Sequence, residues 1–122
     1  EGKISSAARA DYAEAAAKVL TTSGHENKTY ELAGSTSFTL ADLAADIADV
    51  SGKEITYQNL SAEDYTQALT QAGLPAGLVD IIVDADIQTE KGAMFSDSND
   101  LEQLIGHPTT AIKEQIASIL KA

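Results

Sequence analysis

The residues with the means to do chemistry are two histidines, four tyrosines and several closely spaced aspartates. His25 and His107 each stand beside a glycine, Gly24 and Gly106, and neither has a serine or aspartate partner at the spacing of a nucleophile relay. Both read as surface or helix-end residues rather than general bases. Asp84 with Asp86, and Asp97 with Asn99, hint at calcium loops. Thr89 stands where the first loop would turn on glycine, however, and Leu101 replaces an oxygen ligand in the second. No tyrosine precedes a lysine by four positions, so a lysine-assisted tyrosine acid is absent, and Tyr12 and Tyr65 fall on apolar helix faces as core residues. The eight glycines never take the spacing of a phosphate-binding loop. With no cysteine there is no thiol nucleophile, zinc ribbon or disulfide framework. Residue chemistry alone gives a domain without an internal catalytic or metal site.

Six helices are expected to position these residues. Asp11 with Glu14 resembles a capping pair opening a first helix, with Tyr12, Ala15, Ala16, Val19 and Leu20 inward and an end near Gly24. Thr39 and Asp42 repeat the capping logic before Leu40, Leu43, Ala44, Ile47 and Val50, and Gly52 stops that helix. Ser61 starts a third, with Tyr65, Ala68, Leu69 and Ala72 inward and Gly73 at its end. Pro75 suits the first turn of a fourth, whose body from Leu78 to about Ala85 reads as mostly buried apart from Asp80 and Asp84. After a polar stretch over 88–97, Ser98 caps a short helix carrying Leu101, Leu104 and Ile105, stopped by Gly106 and Pro108. The last runs from about Thr110 with Ile112, Ile116, Ile119 and Leu120 as its core stripe. Residues 29–32 and 54–57 alternate in polarity between turn residues and read as brief strands, with 3–6 as a third. The order places an α/β unit first and a helical cover after it, with no repeat or linker dividing residues 1–122.

Composition narrows the partners. Nineteen acidic residues against eight basic ones give a formal charge of -11, a field opposed to nucleic-acid phosphates and anionic lipid surfaces. The longest apolar run is too short for a bilayer, and the cysteine-free sequence points to the cytoplasm. Glu1 opens neither an initiator methionine nor a basic-then-apolar leader, so the chain reads as beginning inside a longer one.

Five blocks in order carry a resemblance along nearly the whole chain. Residues 5–16 (SSAARADYAEAA) resemble the R-x-D-x-A-x-A strand-to-helix passage of the NmrA-like, atypical short-chain dehydrogenase/reductase family. Tyr30–Gly34, Phe38–Ala44, Gly52–Tyr57 and Leu104–Thr110 follow in the family's order, and the likeness is to its bacterial quinone-reducing members. The resemblance covers the family's C-terminal portion only. It implies that 1–122 is a substrate-side subdomain of a Rossmann-type protein, mostly helical with two or three short strands, and that the glycine-rich half holding NADPH precedes it.

The family implies an NAD(P)H-dependent quinone oxidoreductase, with this part forming the quinone-side wall of the cleft where hydride passes directly from the nicotinamide. The chain alone would then be inactive and carry no catalytic residue. The residues implied to face substrate are Ser6, as a hydrogen-bond donor to a quinone oxygen, and Arg9, near cofactor phosphate or substrate. Met94 and Phe95 would form an apolar lid. The competing roles are an ion pair for Arg9 and a loop-pinning contact for Phe95. A redox-sensing NmrA-like regulator without turnover and a non-catalytic helical interaction module are the alternatives. An apolar surface facing the other half would favour self-association.

Overall fold

The computed structural model describes residues 1–121. Its six helices are α1 (Arg9–Thr21), α2 (Leu40–Ser51), α3 (Ala62–Gln71), α4 (Ala76–Glu90), α5 (Asp100–Ile105) and α6 (Ile112–Leu120). They pack in three pairs, α1 on α5, α2 on α6 and α3 on α4. All six helices expected from the sequence are present.

The local punctuation explains where they begin and end. At α2 the Thr39 hydroxyl accepts the Asp42 N–H at 3.1 Å and the Asp42 carboxylate accepts the Thr39 N–H at 2.9 Å, a closed capping box. The Ser61 hydroxyl caps α3 through the Asp64 N–H. Gly52 and Gly106 end α2 and α5 in the left-handed region, which side chains disfavour. Pro75 lies one position outside the first turn of α4 as its N-cap, and Asn99 rather than Ser98 occupies the N-cap of α5. The fourth helix continues through Gln88, Thr89 and Glu90, residues expected in a polar loop.

The expected strands collapse to one antiparallel bridge, Ile4 with Phe38, closed by hydrogen bonds of 2.8 and 2.9 Å. Residues 29–32 and 54–57 form no strand; Glu31 gives its N–H to the Asp100 carboxylate and its carbonyl to the Ser98 hydroxyl instead of to a ladder. The N-terminal segment instead threads between two backbones. Ile4 and Ser5 bond to Phe38 and Gly34 on one side, and Ser5 to Met94 on the other. This approach is close enough that a methyl group on Gly34 would stand 2.4 Å from the Ser6 carbonyl oxygen. One on Gly2 would stand 2.1 Å from that of Thr89.

The core is small. Leu101 is completely buried between Ala15 and Ile105, with Tyr12, Leu32 and Leu104 around it, and Val79 with Val83 forms the buried edge of α4. Several residues expected inward face out. Ala16, Ala68 and Ala72 are exposed, as are Leu20 at 85%, Ile119 and Leu120. The fourth helix is not mostly buried, since Leu78 is half-exposed and Ile81 is 68% exposed. Helical period identifies an apolar stripe, but whether anything covers it depends on the neighbouring helices.

Candidate functional site

Ser5 joins the segments that contain the residues singled out above. Its N–H donates to the Met94 carbonyl at 2.9 Å, its carbonyl accepts from the Gly34 N–H at 2.7 Å, and its hydroxyl accepts from the Ser96 N–H at 3.1 Å. With all three made, this buried polar residue is satisfied. These bonds fix Ser5 itself beside residues 94–96, and no contact brings Ser6 or Arg9 to Met94 or Phe95 among the described residues. Sequence reasoning missed Ser5, because its partners lie 29, 89 and 91 positions away and leave no local pattern.

Ser6 is exposed and lines a small pocket of about 50 Å³ with Thr36, Phe38, Thr110 and Gln115. Arg9 opens α1 on the surface and makes no ion pair among the described residues. Met94 and Phe95 project half-exposed from a turn whose backbone is held by Phe95 N–H to Gly92 and Ala93 N–H to Gln88 bonds.

The α1 end of this site is fastened by two acids. Asp11, expected to cap α1, is instead buried inside it and accepts the Thr110 N–H at 2.7 Å and the Thr110 hydroxyl at 3.3 Å. Ala8 takes the N-cap position with no side-chain bond. The Glu14 carboxylate takes His107 Nε2–H at 3.0 Å while His107 Nδ1 bonds the Pro108 carbonyl at 2.8 Å. Both acceptors favour the doubly protonated ring, and the carbonyl and then the carboxylate raise the His107 pKa. His25 bonds Thr22 and Tyr30 at the end of α1. Both histidines thus work as helix-end residues, as the sequence suggested.

A larger cleft of about 450 Å³ lies elsewhere, between α3, α4 and the 57–61 segment. Tyr57 and Tyr65 line it with Val83 and Ile87, and Asp86 and Glu90 border it. Burial, then the charges of Glu1, Asp86 and Glu90, raises the Tyr57 pKa; burial and the adjacent Asp86 do the same at Tyr65. Both phenols therefore hold their protons. None of Ser6, Arg9, Met94 and Phe95 lines this cleft. The available signal was the turn at Gly73–Pro75, which folds α3 back along α4 and brings Tyr65 towards Asp86.

No residue set among the described residues can hold a metal ion, and no helix is long and apolar enough to cross a membrane. The glycines with positive φ, at 24, 52, 73, 92 and 106, each come within three residues after the end of a helix.

This helical layer, with one bridge in place of a sheet, is the architecture of the C-terminal part of a Rossmann-type reductase. No protein-family model matches the chain. Quinone oxidoreductase 2 of Escherichia coli (strain K12) is 52% identical over 119 residues, 98% of this chain and 42% of that protein. Its crystal structure complexed with NADPH superposes with a TM-score of 0.89, covering 98% of this chain and 42% of that one. The Citrobacter sp. triphenylmethane reductase superposes at 0.90 with 38% identity, covering 99% of this chain and 42% of that one. Along nearly its whole length the chain is similar to NmrA-like reductases, and it matches their C-terminal part. It spans about two fifths of the length of the curated relative, at 42%.

Proposed function

We propose that residues 1–122 form the substrate-side subdomain of an NAD(P)H-dependent quinone oxidoreductase, with the dinucleotide held by a Rossmann half outside them. The observation that carries this is the 52% identity, sustained over 98% of the chain, to quinone oxidoreductase 2. Hydride chemistry belongs to the cofactor, and this chain's part is to bind the acceptor, orient it and exclude water. Ser6 donates a hydrogen bond to a quinone oxygen, Arg9 approaches the acceptor or a cofactor phosphate, and Met94 with Phe95 covers the ring. The 122-residue chain alone turns over nothing, and the cysteine-free composition accords with a cytoplasmic protein.

The test is NADPH oxidation by the full-length gene product, with and without a simple benzoquinone. Quinone-dependent oxidation that falls in Ser6→Ala, Arg9→Gln and Phe95→Ala variants supports the assignment. Tight NADPH binding without turnover on any acceptor replaces it with the sensor reading. A dye-reducing activity is favoured by one observation, the TM-score of 0.90 to triphenylmethane reductase, and adding such a dye as acceptor in the same assay separates the two. The exposed Leu78 and Ile81 support self-association of the isolated chain. A mass by light scattering that stays monomeric at high concentration counts against that.

A further inference from the structure

We propose that Ser5 is a positioning residue that sets where Met94 and Phe95 meet the acceptor, acting through the backbone of the turn that carries them. This rests on the reductase reading above, in which those two side chains cover the ring, and adds a residue to it.

Met94 and Phe95 are 51% and 48% exposed, so packing does little to hold either side chain and each takes its place from its own backbone. That backbone leaves α4 through Gly92, whose φ of 96° is open to glycine and disfavoured for side chains. The Ala93 N–H bonds Gln88 and the Phe95 N–H bonds Gly92, so both contacts stay at the end of α4. Among the described residues, the hydrogen bonds that tie 93–97 to a distant part of the chain are the two with Ser5. The Ser5 N–H donates to the Met94 carbonyl at 2.9 Å, and the Ser5 hydroxyl accepts the Ser96 N–H at 3.1 Å, one bond on each side of Phe95.

The first of these bonds is made by backbone and survives any non-proline substitution at position 5; the second needs a side-chain acceptor. Ser5 is 6% exposed, so water has little access to replace that acceptor. The Ser5 carbonyl is itself held by the Gly34 N–H at 2.7 Å, which keeps the anchor in place. Without the hydroxyl the turn is released beyond Met94 as far as Ser98, whose hydroxyl donates to the Glu31 carbonyl.

The experiment follows quinone-dependent NADPH oxidation by the full-length protein and its Ser5→Ala variant. KM for the quinone should rise about three- to ten-fold, as for one lost hydrogen bond, with kcat within about two-fold of native. In a Phe95→Ala background Ser5→Ala should add almost nothing, because the side chain through which it acts is gone. Ser23→Ala, an exposed serine after α1, should leave both constants unchanged. Trypsin reads the same release without turnover: cleavage after Lys91, the exposed residue before Gly92, should quicken in Ser5→Ala while the other sites keep their rates. The proposal is overturned by an unchanged KM in a protein whose wild type turns over, by additive effects of Ser5→Ala and Phe95→Ala, or by cleavage that rises equally at every site, the mark of a fold residue alone. Absence of turnover in the wild type on any quinone is a different result: it removes the reductase reading, and this role with it.

Discussion

The Asp11 carboxylate holds the Thr110 backbone N–H at 2.7 Å across 99 positions of sequence, from inside the first turns of α1 to the approach to α6. Asp11 is only 4% exposed, so this charged acceptor is nearly removed from water and needs its donors. Asp11→Ala strands the Thr110 N–H and hydroxyl and is expected to cost about 1.5–3 kcal/mol, as for a hydrogen bond to a charged group. Urea unfolding measures it. A loss within the noise of a surface substitution would show that water substitutes for the carboxylate.

Leu101 is the one large aliphatic residue of the α1–α5 pair with no exposure at all, 0%, and it fills the space between Ala15 and Ile105. Leu101→Ala leaves a cavity that small Ala15 cannot close, and a loss of about 2–5 kcal/mol follows. In so small a core this is a large share of the whole stability. The midpoint of thermal unfolding should fall far more than for Leu20→Ala, whose side chain is already in solvent.

His107 gives the fold a pH dependence. Its pKa is raised above the ordinary 6.5 by the Pro108 carbonyl and the Glu14 carboxylate, so folding favours the protonated ring. Its contribution is complete below the unfolded pKa and is lost as pH rises from about 6.5 through the raised folded value. Thermal melts of the native chain should therefore decline over that window relative to Glu14→Gln, and the difference should shrink in high salt because the pair is exposed. Parallel curves for the two proteins would deny the pair this role.

Gly34→Ala tests the threading of the N-terminal segment. The added carbon meets the Ser6 carbonyl oxygen at 2.4 Å, a backbone atom that moves only with its segment, and the Gly34 N–H to Ser5 bond is strained with it. A cost of about 1–3 kcal/mol is expected from such overpacking. In the full-length protein the quinone-dependent turnover proposed above should fall too, since Ser6 shifts with this segment. Native stability in the variant would mean the two backbones separate freely.

What the sequence determined by itself is mostly local. The capping box of Thr39 with Asp42, the Ser61 cap and the stops at Gly52, Gly73 and Gly106 act within a few residues of their own positions, so spacing reveals them. The order of five short blocks likewise pointed to the NmrA-like C-terminal part without any geometry.

Tertiary structure decided the rest. Asp11 looked like a cap and proved to be a long-range acceptor, because a carboxylate in a first helical turn serves either partner and only packing chooses. Residues 29–32 and 54–57 alternate as strands do, yet no ladder forms, and Glu31 bonds side chains of Ser98 and Asp100 instead. Ser5 and the tyrosine cleft were invisible for the same reason. Their geometry comes from groups up to 91 positions apart whose approach is fixed by burial and by three helix pairs, and no periodicity in one dimension encodes which faces will meet.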